Sequence, residues 1–158
     1  MNYQELSDTS RVWIYQSSRP FKDEELPRLR AELRDFVQNW ASHNMDLKAF
    51  GDIFHNRFIV LMVDESQAGA SGCSIDASVR FIKYLEQTFD TNLFDRMTFA
   101  WRDGNTIKTA PKEQFARLYA EGKINDHTLV FDNLVKTKAE FDGEWIKPLA
   151  LSWHKRMV

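Results

Sequence analysis

Three arginines and one cysteine are the residues of this chain whose types and placement invite chemistry. Arg19, Arg57 and Arg96 each sit in a short polar stretch, SSRPF, HNR and LFDRM. Three guanidiniums from three loops, with Asn56 beside them, would bind a carboxylate or phosphate through paired N–H donors. The competing reading is a surface salt-bridge network with Asp23, Glu24 and Asp95. Cys73, the only cysteine, lies in GASGCSID, residues 69–76. A thiol at a helix start ionises more readily. His43 would then serve as its base, with Asp46 or Asp76 orienting the ring. The competing reading is a tight turn with serine caps and Cys73 as a small buried hydrophobe. One cysteine and four scattered histidines have no zinc-ligand spacing. Neither a metal nor a cofactor is expected.

These residues need elements to position them. RVWIYQ, residues 11–16, is β-branched and aromatic and reads as a strand. Leu26, Leu29, Leu33, Phe36 and Trp40 recur at helical spacing, which predicts a helix over about 23–42. LKAFGDIF and RFIVLMVDE flank His55-Asn56 and read as a hairpin. Ile75, Val79, Ile82, Leu85 and Phe89 predict a second helix over about 74–90, and DRMTFAWRDG a strand ending in an Asp-Gly turn. The order strand, helix, strand, strand, helix, strand is the ferredoxin-like split βαβ pattern. That pattern collects Arg19, Arg57 and Arg96 at one end of the sheet and GASGCSID at the other.

The fold class is α+β. A ferredoxin-like unit is expected over 1–98 and a smaller α/β unit over 99–158. Helices cover one face of a ferredoxin-like sheet, yet RVWIYQ and FIVLMV are apolar on both faces. The C-terminal segment or a second copy of the chain is expected to cover the other face, so a homodimer is one expectation. Residues 1–10 read as a loose polar lead-in.

Composition narrows the function classes. The 158 residues carry a net charge of −2, which disfavours nucleic acid as a partner, although Trp13 and Tyr15 are of the type that stacks bases. The longest apolar run, FIVLMV, is too short to span a bilayer. The N-terminus lacks the basic and apolar regions of a secretory signal, and a single cysteine fits a reducing compartment. A soluble, cytoplasmic protein is expected.

The last third carries a resemblance. Asp103-Gly104, Phe115, Leu118, Gly122, Ile124, Asp126, Thr128, Leu129, Val130, Trp145 and Pro148 follow the order of the short bacterial GYF-type domain. That resemblance implies a proline-rich peptide held in an aromatic groove. The binding reading requires an exposed groove floored by Trp101, Tyr119 or Trp145. Where that family has Gly-Pro-aromatic before its helix, this chain has Thr109-Ala110-Pro111. The alternative is that these rings are the core of a small α/β unit.

The whole chain is also similar to an uncharacterised bacterial family labelled "ABC transporter ATPase", through VWIYQSSRPF, NRFIVLMVDE, AGASGCSID, LFDRM and SWH. A P-loop requires G-x-x-x-x-G-K-[ST]. The only Gly-Lys, Gly122-Lys123, precedes Ile124 and lacks the upstream glycine, so ATPase chemistry is not expected. The leading expectation is a non-catalytic protein- or peptide-binding module. The alternative is a small enzyme or anion-binding protein using the arginines or the Cys73 loop.

Overall fold

The computed structural model describes residues 2–43, 48–64 and 72–158, and of 41–43 and 72–74 only the backbone. The chain is α+β and forms two compact units. The first is Met1–Phe94 with Lys136–Ala139, and the second is Asp95–Val135 with Glu140–Val158. The break therefore falls at Phe94, and a short later segment returns to the first unit.

In the first unit, β1 (Arg11–Gln16), α1 (Leu26–His43), β2 (Lys48–Phe54), β3 (Phe58–Asp64) and α2 (Gly72–Phe89) follow in sequence. The antiparallel sheet has the order β1-β3-β2, so the fully apolar strand is central. All seven residues of β3 are buried. The β2–β3 turn has His55 and Asn56 at φ 55, with Arg57 N–H donating to the Phe54 carbonyl at 3.1 Å. Three residues, His55, Asn56 and Arg57, separate the paired Phe54 and Phe58, and asparagine tolerates the left-handed conformation.

Alternation decides the two faces of the sheet. Ile59, Leu61 and Val63 join Ala49, Ile53 and Tyr15 against the helices. Leu26, Leu29, Leu33 and Trp40 from α1 and Ile82, Leu85 and Phe89 from α2 complete this core. Phe36 and Phe81 stack between the helices, with ring centroids 4.2 Å apart.

The opposite face receives cover from an unexpected source. Residues 3–5 form a 3-10 turn capped by Asn2, and Tyr3 packs on Phe50 and Phe54. Leu6 is buried, and Ser7 donates its N–H and hydroxyl to Asp64. The polar lead-in is thus an ordered cover. All seven residues of β3, and Val12, Ile14, Tyr15 and Gln16 of β1, are buried within one chain.

A complete split βαβ sheet would place its fourth strand beside β1. That strand, β4 (Thr98–Asp103), instead belongs to a second sheet. The position beside β1 is taken by residues 136–139. Thr137 bridges Arg11, Val12 N–H donates to the Lys136 carbonyl at 2.9 Å, and Lys138 N–H donates to the Ser10 carbonyl at 2.9 Å.

The second unit adds β5 (Thr106–Pro111), α3 (Lys112–Ala120), β6 (Leu129–Phe131), α4 (Lys138–Glu144), which begins in the returning segment, and β7 (Ile146–Pro148). Two 3-10 turns, Leu149–Leu151 and Trp153–Met157, follow. The sheet order is β5-β4-β6-β7. One face carries Phe99, Trp101 and Val130 against Phe115 of α3, Ile124 and Leu149. Gly122 ends α3 at φ 76. Its N–H donates to the Tyr119 carbonyl and the Lys123 N–H to the Leu118 carbonyl, a Schellman closure that needs the positive φ. No described helix is long and apolar enough to cross a membrane.

Candidate functional site

The arginine end shows what the polar loops do. Arg19 forks onto Glu25, with Nη1 2.8 Å from Oε1 and Nη2 3.0 Å from Oε2. It also donates to the carbonyls of Phe89 and Pro20. Phe89 ends α2, where a cation is favoured by the helix dipole. The hydrogen bonds from Arg19 hold the Glu25 carboxyl well below its ordinary value, at about 2.

Arg57 is 6% exposed and donates to the carbonyls of Ser17, at 3.1 Å, and Ser18, at 2.9 Å. Burial lowers its pKa. The Ser17 hydroxyl in turn meets the Thr91 hydroxyl at 2.6 Å. Asn56 serves the hairpin turn, and its carbonyl accepts from Phe21 N–H at 2.7 Å. Arg96 is exposed and belongs to the second unit. Two of the three guanidiniums expected at a ligand thus have partners within the chain. Arg19 and Arg57 are aimed at chain carbonyls and Glu25 because the SSRPF loop has backbone acceptors to satisfy.

The side chains of Cys73 and His43 lie outside the described residues, as do Ser71 and Asp46. Asp76 is exposed on the first turns of α2. Among the described residues, no group of three or more His, Cys, Asp and Glu side chains could hold a metal ion.

The aromatic trio divides. Trp145 is 4% exposed, stacks on Phe141 at 4.7 Å, and donates its indole N–H to Asn133 at 3.0 Å. Tyr119 is half-buried, with its hydroxyl donating to Asp126 at 2.7 Å and accepting from Lys155 at 2.6 Å. Trp101 is 6% exposed and packs edgewise on Phe115. Trp145 is buried in an aromatic cluster with Phe131 and Phe141, and Tyr119 closes a polar surface cluster.

Trp101 alone keeps a place at an opening. A cleft of about 480 Å³ lies in the second unit, with Trp101, Leu118 and Ile124 as its apolar lining. Thr109, Gln114 and Thr128 line it with neutral polar groups, and Arg102, Asp103, Lys108 and Lys123 with charged ones. Lys108 pairs with Asp103 at 2.6 Å and Lys123 with Glu121 at 3.5 Å, and all four side chains are more than half exposed. The register across the Asp-Gly turn places Lys108 directly opposite Trp101. The two turn residues are Gly104 and Asn105, one position beyond an Asp103-Gly104 turn, and that shift is what brings Lys108 rather than Thr106 opposite Trp101.

A second polar cluster had no clear sequence signal. Asp132 is 7% exposed and accepts from Trp153 Nε1 at 2.8 Å, Leu134 N–H at 3.0 Å and Lys147 Nζ at 2.9 Å. His154, 1% exposed, places Nδ1 2.6 Å from the Ser152 hydroxyl and stacks on Trp153. Burial is the main cause that lowers its pKa to about 4; Asp132 opposes the shift and Lys147 adds to it. These groups satisfy one another inside the unit, which is the arrangement of a packed polar core.

No protein-family profile, curated protein or solved structure matches the chain.

Proposed function

We propose that this protein is a non-catalytic binding module whose second unit engages a peptide segment of a partner protein. The observation that carries this reading is the open cleft beside β5, with Trp101 in its lining and exposed polar groups around it. Aromatic and aliphatic floors with polar rims suit peptide recognition. The Asp103-Gly104 hairpin, α3 closed at Gly122, and the β6–β7 pair support a GYF-like reading of this unit. The β1-β3-β2 order supports a ferredoxin-like ancestry of pattern for the first unit, lacking its fourth strand. A single cysteine supports a reducing, cytoplasmic setting.

The alternative of a small enzyme or anion-binding protein draws on Arg19, Arg57 and Arg96 or on Cys73. It has less support because Arg19 and Arg57 are engaged by Glu25 and by chain carbonyls.

The test is selection of a random-peptide display library on the natural protein, followed by affinity measurement on Gln114→Trp. Gln114 is exposed and lines the cleft, so the larger ring obstructs the site without entering the core. Selected peptides are expected to lose about tenfold or more in affinity on this variant. Failure to enrich any peptide, or equal affinity for the variant, would remove the reading.

A further inference from the structure

We infer that the occupant of this cleft is an acidic extended segment, one apolar side chain flanked by carboxylates. The inference rests on the peptide-binding reading and names its ligand chemistry. Of the four charged lining residues, Arg102, Lys108 and Lys123 are cationic and only Asp103 is anionic. The chain as a whole carries −2, so this local excess of positive charge opposes the global balance.

The cations come from different elements. Arg102 belongs to β4, Lys108 to β5, and Lys123 to the turn that closes α3. A ligand that satisfies more than one of them must reach across the opening. Their present partners do not tie them down. Lys108–Asp103 and Lys123–Glu121 join side chains that are each more than half exposed. Such pairs are worth little and exchange readily for another carboxylate. Arg102 is exposed, and its guanidinium has no ion-pair partner among the described residues.

Shape favours a chain over a compact anion. β5 is an edge strand of its sheet, and Lys108 and Thr109 on it line the cleft. An extended segment can follow an edge strand and alternate its side chains toward and away from the floor. Trp101 and Leu118 receive the inward apolar side chain, while carboxylates on either side meet Lys108 and Lys123. Opposite charge speeds encounter, and like charge disfavours basic competitors.

The experiment is an amide chemical-shift titration of the whole chain with three synthetic peptides. One is acidic with a central leucine, the second replaces its acidic residues by lysine, and the third is proline-rich and neutral. The acidic peptide is expected to shift Lys108, Thr109, Leu118 and Lys123. Its affinity should fall about tenfold or more in the double variant Lys108→Glu, Lys123→Glu, and likewise at high salt. Both positions are exposed, and an unchanged spectrum for Phe115 and Val130 verifies the fold of the variant. Binding of the lysine peptide with equal affinity overturns the inference, as does an acidic peptide that leaves those four amides unmoved. If the proline-rich peptide alone binds at the cleft, the acidic chemistry fails and the peptide-binding reading stands. If none of the three peptides binds and the display selection is empty, both fail.

Discussion

Arg19 and Glu25 meet side-on through two parallel hydrogen bonds of 2.8 and 3.0 Å. Glu25 precedes α1, and its carbonyl accepts the Leu29 N–H. The same guanidinium reaches the Phe89 carbonyl at the end of α2. One side chain therefore ties the SSRPF loop to the start of one helix and the end of the next. A residue that by type suits an anionic ligand is spent on holding the first unit together.

This pair has a definite pH dependence. The Glu25 carboxyl titrates at about 2 in the fold against 4.5 ordinarily, chiefly through the Arg19 hydrogen bonds. A depressed carboxyl contributes stability that is present above the unfolded value and is lost as pH falls from about 4.5 toward 2. The side chains are 31% and 18% exposed, so solvent screens the pair. Glu25→Gln is expected to cost about 1 kcal/mol at neutral pH and to converge on the natural protein near pH 2. Urea unfolding of both proteins across that range is the measurement. A difference that stays constant with pH would contradict the assignment.

Gly51 carries the second prediction. It lies on β2 opposite Leu61 of β3, on the face that α1 covers. A Cβ there would come within 2.9 Å of Val37 Cγ2 and 3.0 Å of Leu61 Cδ2. In an open strand, alanine would be the more stable residue, because glycine loses more chain entropy on folding. Here Gly51→Ala is expected to destabilise by roughly 1–3 kcal/mol through overpacking. Adding Val37→Ala should recover part of that loss, a coupling that a double-mutant cycle reads directly. An alanine variant as stable as the natural protein would show that the helix and strand have room to part.

The elements were largely legible in the sequence, because their signals are local. The stripe from Leu26 to Trp40, the His55-Asn56 turn and the Gly122 closure each depend on neighbours within a few residues. What was not legible is long-range. Nothing in residues 1–10 announces that Tyr3 packs on Phe50 and Phe54, since polar spacing hides one well-placed ring. Nothing in LVKTKA announces that Thr137 would take the place beside β1 that β4 was expected to fill. Among candidate site residues, type alone misled. Arg57 and Trp145 are suited to ligands, yet burial and internal partners claim both. Lys108 and Lys123 passed unnoticed because a surface lysine has no signal until the hairpin register sets it beside Trp101.

His154 gives the sharpest pH prediction. It is buried among Phe99, Phe115 and Trp153, with Nδ1 on the Ser152 hydroxyl. Burial keeps it neutral and lowers its pKa from 6.5 to about 4, with Lys147 adding to the shift and Asp132 opposing it. Between these values the unfolded chain binds the proton and the folded chain does not. The neutral ring's contribution is therefore whole above pH 6.5 and declines as pH falls toward 4, by on the order of 3 kcal/mol. His154→Phe keeps a flat ring for Trp153 to stack on and removes the titrating group. Some stability should be lost at neutral pH, because the Ser152 hydroxyl loses its partner. The decline between pH 6.5 and 4 should become shallower than in the natural protein. Equilibrium unfolding at several pH values separates the two effects. Parallel curves for the two proteins would place the acid sensitivity elsewhere.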